Sequence, residues 1–273
     1  MKKKILIIHT IAWSHYAGLA FSKLYELSGN FKLLVMHLAR SSKGRENIGD
    51  YDKSLHQYPH KIMFEGYLDD FPLIKRIFSV LKEIIIYKPD VLVTAGWSDV
   101  SIVTTAILNK IIGGKNIVTS DTTLNDRKRI WYKELIKKII LKFFDGAFCI
   151  GSAQKKYLMN LGFNESKIFI AGWYVVDFNS VNEDLILDKN ILKPNNFIFV
   201  GRLSLEKNIK FLLEVFKDIK ISEPKSNDWG LIIVGDGPQK KEIEKFIKEN
   251  NLEKDIYLAG GMSWKEVPKY YAL

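Results

Sequence analysis

A chain of 273 residues exceeds the usual size of one domain, so two domains are expected. Hydrophobic residues at 47% and charged residues at 26% exclude a disordered chain, and no stretch reaches the ~18 apolar residues of a membrane span. The formal charge of +10 favours a polyanionic partner (nucleotide phosphates, anionic lipid or nucleic acid), and a single cysteine, Cys149, excludes an internal disulfide and fits a reducing compartment.

Lys2-Lys3-Lys4 followed by Ile5-Leu6-Ile7-Ile8 imitates a signal peptide. His9 and Thr10 break the apolar run, however, so the segment reads as the first buried strand of a parallel sheet in a cytoplasmic protein. Strand 4–9 is followed by helix 17–28, strand 31–38, a polar loop 40–58 and strand 61–64. His56 and His60 fall in or beside that loop, and Pro59 breaks any helix that would align them on a metal. Helix 71–87, strand 90–95, helix 98–110, strand 115–119, helix 129–143, strand 146–150, helix 152–161 and strand 168–170 complete an alternating pattern. Such alternation predicts a parallel sheet with helices on both faces. Cys149 lies in the apolar run Ala147-Phe148-Cys149-Ile150 and is expected to be a buried strand thiol. An Asn- and Asp-rich segment, 179–194, reads as an interdomain linker.

A second α/β unit begins at Phe197-Ile198-Phe199-Val200. Its first helix carries Ile209, Leu212, Leu213 and Phe216 as one apolar stripe. Strand 231–234, helix 238–250 and strand 256–258 follow, and Ser263-Trp264-Lys265-Glu266 is a capping box for a last helix, with Pro268 awkwardly deep inside it. Three strands make half of a doubly wound domain.

The residues with chemistry cluster after strands. Arg202 and Lys207 lie five apart where an apolar strand ending in Gly201 turns into a helix, at the sheet edge where open α/β folds bind ligands. A guanidinium, an ammonium and free helix N–H groups together suit a diphosphate without a metal. Gly235-Asp236-Gly237-Pro238 follows the next strand, and its two glycines permit close backbone approach beside a nucleotide. Asp126-Arg127-Lys128-Arg129-Ile130-Trp131-Tyr132-Lys133 interleaves basic and large apolar residues, with Trp131 placed to sit at a lipid interface. The alternative for that stretch is a core-facing helix with a solvated basic face. Nucleic acid is disfavoured, because no aromatic platform accompanies the charge. An NAD enzyme is disfavoured too, because no G-x-G-x-x-G follows the first strand.

Gly-Arg-Leu-Ser-x-Glu-Lys-Asn (201–208) followed by Ile-Val-Gly-Asp-Gly-Pro (233–238) resembles the donor domain of family 4 glycosyltransferases, retaining enzymes of GT-B fold. Gly96-Trp97-Ser98-Asp99, Ser120-Asp121-Thr122-Thr123, Gly151-Ser152 with Tyr157 and Leu161-Gly162, and Val175-Val176-Asp177-Phe178 fall in family-like order. The resemblance implies two Rossmann-like domains: an acceptor-side domain 1–178 and, past the linker, a donor domain 195–273. It further implies that Arg202 and Lys207 hold the diphosphate of a nucleotide sugar, that Gly18 approaches it from a loop after the first strand, and that Asp121 contacts the donor sugar or the acceptor. Many relatives carry a histidine where Asp121 stands. By the same likeness Arg127, Lys128, Arg129 and Trp131 belong to an acceptor or inner-leaflet membrane surface, with a glycan or lipid-linked acceptor, no metal and no further cofactor. The family's E-x7-E pair is expected beyond Leu273. Glu206 and Glu214 share its spacing but flank the wrong helix, so an incomplete second domain is expected. A truncated non-catalytic remnant and a GT-B sugar-nucleotide epimerase are the other readings.

Overall fold

Ile5-Leu6-Ile7-Ile8 lies in β1 (Lys3–Ile11), the hub of a seven-stranded parallel sheet. The computed structural model describes residues 2–45, 51–126, 128–172, 193–223 and 226–271, which divide into two units: the described residues of 1–42 and 51–176, and those of 43–50 and 177–273. Arg127, the segment 173–178 with Val175-Val176-Asp177-Phe178, and most of the expected linker lie outside the described residues.

In the first unit β1 is followed by α1 (His15–Glu26), β2 (Phe31–Ser41), β3 (His60–Tyr67), α2 (Leu73–Tyr87), β4 (Val91–Ala95), α3 (Val100–Ile111) and β5 (Lys115–Ser120). Then come α4 (Trp131–Leu141), β6 (Gly146–Cys149), α5 (Ser152–Asn160) and β7 (Ile168–Ile170). The strand order is β3-β2-β1-β4-β5-β6-β7. The order reverses between β2 and β4 on either side of β1, which makes the carboxyl end of β1 a topological switch point. Alternation along β1 sends Leu6 and Ile8 into a core with Val80 and Ile84 of α2 and Ile102 and Ala106 of α3. Ile7 packs on the opposite face with Ala17 and Phe21 of α1. Each large aliphatic or aromatic side chain fully buried in this way contributes about 1.5–3 kcal/mol. Lys88 ends α2 in a left-handed conformation (φ 49°) directly before Pro89, and Asp90 accepts a hydrogen bond from the Lys4 amide at 2.7 Å. Cys149 is buried in β6, and burial raises its thiol pKa.

The second unit contains β8 (Asn195–Val200), α6 (Ile209–Ser222), β9 (Trp229–Val234), α7 (Lys240–Glu249), β10 (Ile256–Gly260) and α8 (Pro268–Tyr271). Its sheet is parallel, ordered β10-β9-β8. Ile209, Leu213 and Phe216 of α6 bury against Leu231 and Ile233 of β9 and Ile243 and Ile247 of α7. Two expected boundaries move. α7 starts at Lys240 rather than 238, because Pro238-Gln239 forms a turn whose Gln239 amide donates to the Leu203 carbonyl at 3.0 Å. The pairing of Ser263 with Glu266 forms (Ser263 Oγ to Glu266 Oε2, 2.9 Å), but α8 begins at Pro268, so the proline occupies the first helical position, which tolerates a missing N–H.

Candidate functional site

The carboxyl edge of the first sheet opens on a cavity of about 770 Å³ that runs along one face of β1, β4, β5 and β6. Thr10, Ser98, Asp121 and Thr122 line its polar end; Val93 and Ile117 line its apolar floor. Asp121 is exposed there, and its carbonyl accepts a hydrogen bond from the Gln154 side chain at 3.3 Å. Asp99 caps α3 through the Ser101 amide (2.8 Å) and pairs with Arg76, which fixes the Gly96-Trp97-Ser98-Asp99 turn beside a smaller, more polar cavity.

Gly18 lies elsewhere than expected. α1 begins at His15, so Gly18 stands in the helix's first turn and not in a loop. A side chain at Gly18 would come within 3.1 Å of His56 Nε2, so the glycine makes room for that imidazole. His56 lies in the loop, as expected, but is buried and closes the 3-10 turn Lys53–Leu55, whereas His60 is the first residue of β3 rather than a loop residue.

These rings belong to a cluster that holds all five histidines of the chain, His9, His15, His37, His56 and His60. Ring centroids are 5.5 Å apart for His9–His37, 5.5 Å for His37–His56 and 5.4 Å for His56–His60. The Tyr58 hydroxyl sits between His37 Nε2 (3.0 Å) and His56 Nδ1 (2.5 Å). It has one proton to give, so one ring accepts it and the other donates. Desolvation lowers His9 to about 4 against its hydrogen bond to the Ile11 carbonyl. Desolvation first, then the charges of His60 and His15, lowers His56 to about 4, and burial holds His37 well below the ordinary range. Among the described residues no group of three or more His, Cys, Asp and Glu side chains is arranged to hold a metal ion. The sequence signal for the cluster was the confinement of every histidine to the first 60 positions.

In the second unit Arg202 and Lys207 flank the 3-10 turn Leu205–Lys207, and both side chains are exposed. Asn208 takes a left-handed conformation (φ 50°, ψ 42°) that turns the chain into α6, whose first N–H groups lack intrahelical partners. Arg202 makes an ion pair with Glu206. Glu206 titrates at about 2, held there by its own backbone N–H, with Ser204 and Arg202 adding to it. Glu214 lies on the exposed side of α6, within the helix.

Gly235 and Gly237 serve a backbone junction. A Cβ on Gly235 (φ 149°) would lie 1.9 Å from the Gly201 carbonyl oxygen, and one on Gly237 (φ 157°) would lie 2.5 Å from the Leu203 carbonyl oxygen. Leu203 N donates to Asp236 O at 2.9 Å and Gly201 N to Val234 O at 3.0 Å, so the loops after β8 and β9 are laced together. The glycines thereby position Arg202. Gly235→Ala is expected to destabilise this unit by about 2 kcal/mol through overpacking and strain. A shifted urea midpoint with an unchanged slope would check it.

The basic stretch divides. Arg129 is not a surface cation: its guanidinium lies 4.3 Å from the Tyr157 ring centroid and donates to the Tyr157 hydroxyl (3.0 Å) and to the Thr123 and Leu124 carbonyls. Tyr157 is fully buried, and its hydroxyl donates to Glu134 (2.8 Å) and accepts from Lys137 (2.9 Å). Desolvation would raise Glu134, but bonds from Lys137 and Tyr157 outweigh it and hold the carboxylate low. Arg129 therefore locks the loop before α4 to α5. Lys128 and Trp131 remain exposed.

Comparison with known proteins follows the same architecture. The profile of the family described as "Glycosyl transferases group 1" matches residues 183–273. An uncharacterized glycosyltransferase of Methanocaldococcus jannaschii is 29% identical over 276 residues, covering 95% of this chain and 64% of its own. The amylovoran biosynthesis glycosyltransferase AmsD of Erwinia amylovora is 29% identical over 133 residues, 45% of this chain and 36% of its own. Among solved structures, Anabaena HepE in complex with UDP and glucose superposes with a TM-score of 0.67 at 16% identity, covering 99% of this chain and 72% of its own. This chain thus spans a little under two thirds of the archaeal relative's length.

Proposed function

The chain belongs to the group 1 glycosyltransferases, of GT-B fold, and on that premise we propose that the protein moves a sugar from a nucleoside diphosphate to a hydroxyl of a glycan or lipid-linked acceptor, with retention of configuration. The observation that carries this reading is the laced loop pair of the second unit, which presents Arg202 and Lys207 together at the start of α6. UDP is the proposed nucleotide, by analogy with the ligand of HepE. Cell-surface polysaccharide assembly is the proposed setting, in line with the name of AmsD.

In the reaction the acceptor oxygen forms a bond to the anomeric carbon on the face from which the diphosphate leaves. The breaking carbon–oxygen bond gives its electron pair to the diphosphate, which takes up the acceptor's hydroxyl proton. Arg202 stabilises the developing charge through two parallel hydrogen bonds, Lys207 acts as a point charge, and the α6 N-terminus adds its dipole. Asp121, at the carboxyl edge of the first sheet, is assigned contact with the donor sugar or acceptor. Gly18, in the first turn of α1 with His56 against it, is not used in this assignment.

The test is UDP release by the whole protein from UDP-glucose and other UDP-sugars, with and without glycan and lipid acceptors. Acceptor-dependent release is the expected result. Donor turnover without any acceptor would replace the reading with an epimerase, and absence of UDP binding would remove it.

A further inference from the structure

The segment 121–126, between β5 and α4, carries Asp121 and Thr122 at the polar end of the large cavity, and side chains hold it in place. Arg129 engages all three of its guanidinium nitrogens. Nε donates to the Leu124 carbonyl at 3.1 Å, Nη2 to the Thr123 carbonyl, and Nη1 to the Tyr157 hydroxyl at 3.0 Å. Gln154 Nε2 holds the Asp121 carbonyl from α5 at 3.3 Å. The carbonyls of 121, 123 and 124 are thus all gripped from outside the segment. Within it, Thr123 N donates to Asp126 Oδ2 at 2.7 Å and Asn125 N to Thr123 Oγ1 at 3.3 Å. Leu124 packs against the core of the first unit.

This clamp stands on a buried base. Tyr157 is fully buried, and its ring lies against the guanidinium. α4 turns Glu134, Lys137 and Leu141 inward: Leu141 is buried, and the two charged groups meet at the Tyr157 hydroxyl. That oxygen gives its single proton to Glu134 and accepts from Lys137 and Arg129, so its bonding capacity is filled. Arg129 keeps only 22% of its side-chain surface, which marks it as part of this assembly and not a solvated cation. A lysine could not take its place, because an ammonium lacks the planar fork that matches three fixed acceptors.

We infer that Arg129 is a positioning residue for sugar transfer. With Tyr157 behind it, Arg129 fixes the backbone of 121–124, and so the direction in which Asp121 and Thr122 meet the reacting sugar or acceptor. The inference rests on the proposed role of Asp121 and extends it to the groups placed behind that residue. Asp121 is exposed, and a free loop would spread its carboxylate over many orientations. Clamped carbonyls at 121, 123 and 124 remove that freedom before substrate arrives. A displacement of about 1 Å at a reacting contact can lower the rate about 100-fold, so the clamp acts on turnover. The diphosphate is assigned to Arg202 and Lys207 of the second unit, so loosening the clamp should leave nucleotide affinity unchanged.

Arg129→Lys and Tyr157→Phe in the whole protein test it. Each is measured for UDP affinity, amide exchange of 121–126, and UDP release from UDP-glucose with the glycan and lipid acceptors. Exchange of the Thr123 and Asn125 amides should quicken about tenfold, and kcat should fall about 10- to 100-fold. The UDP Kd and the KM for UDP-glucose should stay within about twofold of native. Arg129→Lys keeps the charge and is still expected to fail, because the fork is what the carbonyls need. Gln154→Ala leaves the buried network whole, so it tests the clamp even if the other variants lose their fold; it should show the same pattern at about threefold. Faster exchange with native kcat would leave Arg129 a purely structural role and overturn the inference. Native exchange in Arg129→Lys, or a loss confined to KM for UDP-glucose, would overturn it as well. If the native protein releases no UDP with any acceptor, the proposed function itself falls and this inference falls with it.

Discussion

On the proposed function, Arg202→Ala is expected to lower turnover of UDP-sugar by the whole protein about 100-fold, the scale of losing one strong transition-state donor, or about 2.7 kcal/mol. The loss should appear mainly in kcat, because charge on the diphosphate grows as the glycosyl bond breaks and a guanidinium gains most from the fully developed anion. Arg202→Lys should recover only part of the rate, since an ammonium cannot form two parallel bonds. In the structure the guanidinium is paired with Glu206, across the turn that ends at Lys207. That pair does not compete seriously with substrate. Arg202 keeps 41% and Glu206 55% of their side-chain surface, and an exposed pair of this kind contributes little net energy. Glu206 stays ionised throughout the working range, so its exchange for a diphosphate involves no proton. Steady-state kinetics on the two variants, with UDP affinity measured beside them, checks the assignment. Turnover equal to the native enzyme would remove Arg202 from the diphosphate site.

The second large effect is acid destabilisation of the first unit. His9 and His56 titrate at about 4 in the folded protein and near 6.5 when unfolded, so the unfolded chain binds more protons below pH 6.5. Stability contributed by the neutral rings is complete above 6.5, falls as pH drops from 6.5 towards 4, and then levels off. A shift of this size is worth roughly 3 kcal/mol for a fully buried ring. Solvent screening at the rim of the cluster brings the expected loss for the two rings to about 4 kcal/mol. The groups that face them are His15 and His60, Tyr51, Tyr58, Arg40 and Asp52, and of these only the Asp52 charge favours protonation of His56. Asp145 and Glu134, held low by lysines, lose their contribution only below about pH 4.5, which leaves the window from 6.5 to 4.5 to the histidines. Amide exchange of segment 51–60 at pH 7.5, 6 and 5 is the measurement. Protection there should fall stepwise while β8 to β10 keep theirs, and His56→Gln should flatten the dependence. Constant protection from pH 7.5 to 5 would contradict the neutral buried rings.

How much of this was legible in the residues follows their separation along the chain. Ten strands and the major helices could be read because each is encoded by its own contiguous period, as in the 209–216 stripe of α6. Arg202 and Lys207 were legible for the same reason: strand, turn and helix start lie within one short run. Helix ends were less so: the expected helix began at 17 and the observed α1 begins at His15, which sets Gly18 within its first turn. The glycines at 235 and 237 were flagged for close backbone approach, and the structure brings the Gly201–Leu203 backbone against them.

The sequence by itself determined the fold class, the family resemblance and the strand-turn-helix run that carries Arg202 and Lys207, all of which depend on local pattern. Only the tertiary structure decided which way α4 faces and where the histidines meet. Arg129 reads as one more surface cation until α5 brings Tyr157 beneath it. His9 and His37 become neighbours only through the parallel register of β1 and β2, and His60 joins them through β3. Parallel pairing joins residues separated by whole crossover connections, so no window along the chain contains the contact. The physical reason is that such sites are created by desolvation and charge from distant segments, and these act only after the sheet has formed.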